Sequence, residues 1–207
     1  MTTYEVQKRI LDVVGTLILF TIFLPIWFMI PALILLESGR PIFFSHRRVG
    51  KHGQEFDLFK FRSMIKGADD LLHKHNHELL QKFKNNDWKL ENDPRITPLG
   101  KVLRSLTIDE FPQLFNVLKG EMSLVGPRAY VKKELDEQTK KYPETEALVA
   151  DILSVKPGIT GPWQTSGRNE VPFKKRAKLD ATYARQKSIW NDISILLKTP
   201  QAMISKW

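Results

Sequence analysis

From Val13 to Leu36 the chain runs without a charged side chain. An apolar run of that length can cross a bilayer core of roughly 30 Å as a helix. Pro25 stands near its middle and Pro31 follows within the same run. Proline lacks a backbone donor and its ring clashes with the preceding turn, so a kink is expected at each. The carbonyls so freed need partners, which Thr21 or neighbouring backbone can supply. Lys8 and Arg9 precede the run, and Arg40, Arg47, Arg48 and Lys51 follow it. Cationic flanks favour the cytoplasmic side of a membrane. Charges at both ends therefore predict a helix-break-helix that enters and leaves by one face, with Pro25 at the break, in preference to a straight span. The length and flanks do not fit a cleaved signal peptide. Asp12, at the edge of the run, is expected to pair with Lys8 or Arg9.

Beyond the run, the periodicity changes. Pro41-Ile-Phe-Phe44 reads as a short strand, the segment from Arg48 to Gly53 as a turn, and the alternation from Glu55 to Phe61 as the returning strand. A helix is expected from about Lys66 to Phe83, with Leu71, Leu72, Leu79, Leu80 and Phe83 on one side. A polar loop then reaches Thr97. Further helices are expected over part of Leu99 to Arg104, from near Asp109 to Leu118 with a stop at Lys119-Gly120, and from Val131 to Lys141. Two more run from Pro143 to about Leu153 and from Pro172 to Lys198, the latter with a break near Ser188. Between them, Lys156 to Asn169 reads as a glycine-rich loop. The fold class is mostly α with a small β-hairpin: an N-terminal membrane helix-break-helix over residues 1–39, then a domain of mixed α/β type over 40–207.

The 207 residues are 42% apolar and 27% charged, a globular balance that argues against disorder. With no cysteine, disulfides and thiolate metal sites are excluded. The net charge of +9 suits an anionic partner: a nucleic acid, an anionic membrane face or a phosphorylated substrate. The membrane segment makes nucleic acid the poorest fit, although Phe56, Phe59 and Phe61 superficially resemble an aromatic binding strand.

Asp109-Glu110 is the best candidate for chemistry. Thr107 with Glu110 fits a capping box, or Asp109 is itself the cap with Pro112 in the first turn; either register puts both carboxylates at a helix start, where the partial positive charge keeps them ionised. An ionised aspartate can attack phosphorus, and a neighbouring glutamate can hold a divalent metal on a diphosphate. Taken alone, the dipeptide is better explained as an ordinary helix cap, since capping carboxylates are common. The surroundings shift that balance: Gly126-Pro127-Arg128 presents a fixed guanidinium fork, and Lys60, Arg62, Arg95, Arg104 and Arg168 are further cations in short motifs. Gly158, Gly161 and Gly167 match no nucleotide-binding spacing. His73 and His77 share a helix face but have no second ligand cluster. Trp88, Trp163, Trp190 and Trp207 suit either a core or an interfacial anchor.

Several ordered segments carry a resemblance: Lys8-Arg-Ile-Leu-Asp12, Leu24-Pro25, Pro41-Ile-Phe-Phe44 with Arg48-Val-Gly50, Phe59-Lys-Phe-Arg-Ser-Met64, and Asp93-Pro-Arg-Ile-Thr97. They continue with Leu103 to Leu118, Met122-Ser-Leu-Val-Gly-Pro-Arg128, and Lys156 to Gly161 through Gly167-Arg-Asn169. In this order the chain resembles the bacterial sugar transferases, the monotopic phosphoglycosyl transferases that begin lipid-linked glycan assembly. The resemblance implies a re-entrant helix in the cytoplasmic (inner) membrane and a cytosolic catalytic face at headgroup level. It implies that Asp109 attacks the β-phosphorus of a UDP-sugar, that UMP leaves, and that undecaprenyl phosphate takes the sugar-phosphate from Asp109. Glu110 would bind Mg²⁺, Arg128 would hold phosphate, and Lys60, Arg104 and Arg168 would bind phosphate or nucleotide. Such a step opens surface polysaccharide or glycoconjugate synthesis, and a homodimer is compatible with it. Where many relatives have Ser-Pro at the break and Gly-Pro-Arg-Pro, this chain has Leu24-Pro25 and Ala129. The Gly161 to Asn169 stretch looks most like members that transfer hexose-1-phosphate, such as galactose or glucose. Two other readings stay open at the level of residues: a non-enzymatic membrane-anchored assembly module, and a transferase with no covalent step.

Overall fold

The computed structural model describes residues 2–72, 77–85, 90, 93–167 and 171–203. Helix α1 (Thr3–Ile22) opens on a capping box: the Thr2 hydroxyl accepts from the Glu5 N–H, and the Glu5 carboxylate accepts from the Thr2 N–H. Helix α2 (Leu24–Ser38) follows after Phe23, and the two are bent by 64°. Pro25 lies in the first turn of α2, where its missing donor breaks no bond, so the expected break is present. Pro31 lies inside α2, which continues through it. One lost hydrogen bond is small beside the burial of Ile30 and Ile34 on either side. The Thr21 hydroxyl donates to the Leu17 carbonyl at 3.0 Å, and the Phe23 N–H to the Leu19 carbonyl at 3.0 Å, so local bonds serve the end of α1.

Among the described residues no single helix is long and apolar enough to cross a membrane, but the bent pair reaches that length and composition together. Its exposed side carries many large apolar residues, with Ile22, Phe28 and Leu36 exposed by 63%, 72% and 85%. Apolar area on that scale marks a contact with something other than water.

Strands β1 (Phe43–Val49) and β2 (Glu55–Phe61) form an antiparallel hairpin, with Phe44 opposite Lys60 and Arg48 opposite Phe56. Arg48 thus belongs to a strand and not to the turn expected there. Pairing across the hairpin extends β1, and Arg47 meets Asp57 at 3.2 Å. The expected helix over 66–83 is helical at both ends, as α3 (Ala68–Asp70) and α4 (His77–Asn85). His73, Trp88, Arg168 and Trp207 lie outside the described residues. Helix α5 (Pro98–Ser105) is capped by Thr97, whose hydroxyl accepts from the Gly100 N–H at 2.9 Å. Helix α6 (Gln113–Lys119) stops at Gly120 in the left-handed region, as expected.

Strand β3 (Ser123–Val125) then pairs in parallel with β4 (Gly158–Thr160), which lies inside the segment expected to be loop. Both strands are too short for a periodic signal, and their partners are remote in sequence. A Cβ on Gly158 would lie 2.0 Å from the Gly126 nitrogen, so this pairing requires glycine. Helices α7 (Lys132–Lys141), α8 (Glu146–Ile152), α9 (Phe173–Arg185) and α10 (Ile189–Met203) complete the chain, with the expected break between the last two.

The central core joins Phe56 and Leu58 of the hairpin to Leu114 and Val117 of α6 and to Leu124 and Val125 of β3. Phe20 of α1 and Trp27 of α2 pack against it. Polar ties reinforce this seam. Arg9 donates to the carbonyls of Val117 and Leu118, both at 2.7 Å, and so satisfies the end of α6. Arg62 donates to the Gly39 carbonyl at 2.7 Å, and Glu37 accepts from the Leu99 N–H at 2.7 Å, which joins α2 to α5. Asp12 meets Lys8 at 3.6 Å, as expected, but its shorter bonds cross to β3.

Candidate active site

Between α5 and α6 the chain makes one 3-10 turn, Ile108–Glu110. The helix start expected at Thr107 or Asp109 is not there. Thr107 takes a left-handed φ of 59° and makes no side-chain capping bond, and α6 begins only after Pro112. Pro112 has no N–H to extend a ladder upstream, and the left-handed residue closes α5 instead of opening α6. The electrostatics of Asp109 come chiefly from burial and neighbouring side-chain charges.

Asp109 is 5% exposed, and this burial pushes its carboxyl above the usual carboxylate range. Lys60 opposes the shift most, Glu110 adds to it, and Arg104 also opposes it. The Lys60 ammonium lies 2.7 Å from Glu110 Oε1 and 3.7 Å from Asp109 Oδ2, so one cation serves both carboxylates. Its strand is gripped from α6. Buried Asn116 accepts from the Phe59 N–H at 3.1 Å and donates to the Asp57 carbonyl at 2.7 Å, fixing the backbone just before Lys60. Arg104 comes from the last turn of α5 and donates through Nε to the Ser63 hydroxyl at 2.9 Å. Burial lowers its guanidinium, while Asp109 and Asp93 resist that change.

Arg128 stands just past β3. The Gly126 N–H donates to the Thr160 carbonyl at 2.9 Å and the Gly158 N–H to the Pro127 carbonyl at 2.8 Å, so the β3–β4 pair holds the turn. The Arg128 N–H donates to Asp180 of α9 at 3.2 Å, and its guanidinium lies 5.0 Å from the Trp163 ring centre. Burial pushes Asp180 up to about 7, against the Arg128 N–H and the Tyr130 hydroxyl, which lower it. Trp163 is thus a core residue, whereas Trp190 is exposed.

Of the predicted residues, Asp109, Glu110, Lys60 and Arg104 come together directly. Arg48, expected as a flanking charge and turn residue within a family-like segment but not as a site residue, is close enough to feel the charges of both Arg128 and Glu110, and so links Arg128 to the cluster. Extending the β1 alternation by a few residues would have put it on the face of Lys60. Asp180 carried no signal in the sequence beyond an ordinary helix position. The Phe111 ring, next to Glu110, packs 5.0 Å from that of Phe23, so the site sits against the helix break at Pro25.

Among the described residues no three His, Asp or Glu side chains converge as a ready-made metal site. Asp109 and Glu110 nonetheless offer adjacent hard oxygen donors. Mg²⁺ typically takes one or two carboxylates, phosphate oxygens and water, so the donor chemistry fits. A surface cleft of about 340 Å³ that includes Pro162, Lys178 and Asn191 contains none of the predicted residues. A smaller recess includes Val49, Pro127 and Arg128, and the candidate site is recognised by its charge cluster.

The family described as bacterial sugar transferase matches residues 3–206 of this chain. The undecaprenyl-phosphate galactose phosphotransferase of Salmonella typhimurium is 40% identical over 205 residues, covering 96% of this chain and 40% of that protein. The UDP-galactose-lipid carrier transferase of Erwinia amylovora is 40% identical over 197 residues, covering 93% and 39%. The exopolysaccharide production protein ExoY of Rhizobium meliloti is 38% identical over 199 residues, covering 95% and 84%. The chain therefore spans less than half the length of the first two and most of the third.

Proposed function

The chain belongs to the bacterial sugar transferase family, and from that premise we propose that it is an enzyme moving a sugar-1-phosphate from a UDP-sugar to undecaprenyl phosphate. The observation that carries this reading is a buried aspartate and its neighbouring glutamate sharing one lysine, on a turn packed against a helix break. An Asp109 oxygen attacks the β-phosphorus of the donor. The bond from that phosphorus to the bridging oxygen breaks, and UMP leaves with the electron pair. An undecaprenyl phosphate oxygen then attacks the same phosphorus, which frees the Asp109 carboxylate and forms a polyprenyl-diphosphate sugar. Burial strips water from the Asp109 carboxylate and shields the acyl phosphate from hydrolysis. Lys60 holds Glu110 in place and offsets charge beside the nucleophile. Glu110, with Asp109 beside it, would hold Mg²⁺, which would supply Lewis acidity toward the diphosphate when bound. Two of the relatives are named for galactose, so UDP-galactose heads the donor panel as a hexose donor.

The α1–α2 pair is read as a re-entrant anchor in the cytoplasmic membrane, with the site at headgroup level. Its bend, its exposed apolar side and the cations at both ends support this. The chain has no cysteine, so single cysteines placed at Thr2 and Ser38 report topology without background. Both are expected to react with an impermeant maleimide only in inside-out vesicles. Labelling of one from each side would establish a span and remove the re-entrant anchor.

The test of the chemistry is intact mass spectrometry of the purified protein with Mg²⁺ and UDP-sugars, without lipid. An added sugar-phosphate that discharges on adding undecaprenyl phosphate is expected. No adduct with any donor, with UMP release still requiring lipid, would instead mean direct transfer. Neither adduct nor turnover would favour a non-enzymatic module.

The rate of adduct formation also carries a pH signature. The raised folded-state pKa of Asp109 means that the reactive carboxylate is lost, as pH falls, above the ordinary aspartate range. Lys60 holds that value down, so Lys60→Gln is expected to move the acid limb of the pH–rate profile to higher pH. An acid limb unmoved in Lys60→Gln would show that this limb does not belong to Asp109.

A further inference from the structure

We propose that Arg48 and Arg128 form a two-guanidinium clamp for the phosphoryl dianion handled at Asp109–Glu110, with Arg48 as a binding residue in its own right. The clamp rests on the reading of this site as a phosphoryl-transfer centre and adds to it a residue from the hairpin.

The placement follows from the register. Residues directly opposite in an antiparallel pair share a face, and alternate residues of a strand do too. Phe44, His46 and Arg48 therefore lie on the face that carries Lys60, whose ammonium holds Glu110. The Val49 N–H donates to the Tyr130 carbonyl at 2.9 Å, which lays the end of β1 against the loop bearing Arg128. One Arg48 Nη lies 3.3 Å from His46 Nδ1. Burial, followed by the charge of Arg48, pushes His46 down to about 4, so at neutral pH its ring accepts from the guanidinium and adds no charge of its own.

The charge around Arg48 is only partly compensated. Burial and then Arg128 push its guanidinium down to about 10, still charged at neutral pH, so the two cations repel across a poorly solvated gap. The acids that offset this are Glu134 and Glu110. Both are committed elsewhere, Glu134 to Arg176 at 3.5 Å and Glu110 to Lys60 at 2.7 Å. The Nε atoms of Arg48 and Arg128 are buried without a hydrogen-bond partner among the described residues. Leaving such donors unmet is unfavourable, and a guanidinium fork matches phosphate oxygens two at a time. A dianion between the forks relieves the repulsion and satisfies the donors together. The diphosphate of the donor and the monophosphate of the lipid acceptor share this chemistry.

The test is calorimetric titration of the full chain in detergent with three probes: UDP, a short-chain polyprenyl phosphate, and inorganic phosphate. Wild type, Arg48→Ala and Arg48→Lys are compared. Arg48→Ala is expected to weaken at least one probe tenfold or more, with Arg48→Lys recovering only part, because the lysine keeps the charge and loses the fork. Loss confined to UDP assigns the clamp to the donor, and loss confined to the polyprenyl phosphate assigns it to the acceptor. Affinities within twofold of wild type for every probe overturn the clamp, as does a wild type that binds none of them. Should Arg48→Ala fail to fold, wild-type affinity in Arg48→Lys overturns it equally. Binding requires no covalent step, so a wild type that binds these anions yet forms no adduct would refute the nucleophile and leave the clamp standing.

Discussion

Asp109→Asn is expected to lower sugar-phosphate transfer by about a thousandfold or more, on the scale of losing an activated nucleophile, while the protein stays folded. The carboxamide has nearly the same shape, so the packing around a side chain that is 5% exposed is preserved. It lacks the negative charge that makes the carboxylate a nucleophile toward phosphorus. The fold should not suffer, because burial already opposes the charged form of this group, and the amide removes a desolvated charge. Lys60 keeps Glu110, its nearer partner at 2.7 Å. Initial rates of UMP release and a thermal unfolding midpoint, measured on the same preparation, separate the two effects. A variant that turns over within tenfold of wild type would remove Asp109 from the nucleophile's role.

Asp12→Ala is the substitution expected to cost most stability, about 3 kcal/mol on the scale of breaking a buried charged network. Asp12 is 2% exposed, and its Oδ1 accepts from the Ser123 hydroxyl at 2.8 Å and from the Leu124 N–H at 2.9 Å. Lys8 lies 3.6 Å away and turns its charge toward Asp192 at 3.2 Å as well. Alanine leaves a strand N–H and a hydroxyl without their acceptor, and a largely buried ammonium with one counter-charge in place of two. For a chain of this size, a loss of about 3 kcal/mol lowers the unfolding midpoint by roughly 6–12 °C. Because β3 runs straight into Gly126-Pro127-Arg128, loosening α1 from β3 also loosens the arginine, so activity should fall below the melting point. Asp12→Asn, which keeps an acceptor, should lie between. A midpoint within 2 °C of wild type in Asp12→Ala would mean that the seam is held by apolar packing alone.

At this seam the expected Lys8–Asp12 pair is present and is one of several bonds that Asp12 makes. The sequence places Lys8 one helical turn before Asp12, and that pair is present. It contains no sign that Ser123 and Leu124 would be the closer partners, since nothing local connects the two segments. Arg9 is similar: read as a topological charge, it also satisfies the end of α6. The Asp109 turn departs further. A capping pattern was present in the letters, but Thr107 adopted a left-handed conformation and the helix began after Pro112. Asp109 and Glu110 stay adjacent on one 3-10 turn, and the helix-start reason for singling them out does not hold.

What the sequence determined by itself are the features set by covalent geometry and local period. Pro25 lacks an N–H in any surroundings, so a break in the apolar run was legible. Thr97 and Gly120 act within one turn of their helices, and the alternation from Glu55 to Phe61 made the hairpin readable. The adjacency of Asp109 and Glu110 is covalent and needed no fold. Tertiary structure alone decided how deeply Asp109 is buried, which sets its proton affinity through lost solvation that no neighbouring letter encodes. It alone paired Ser123–Val125 with Gly158–Thr160, where backbone approach too close for a side chain fixes the turn before Arg128. And it alone set Arg48 beside Arg128, because the charge of a site sums over groups brought together in space, whatever their separation along the chain.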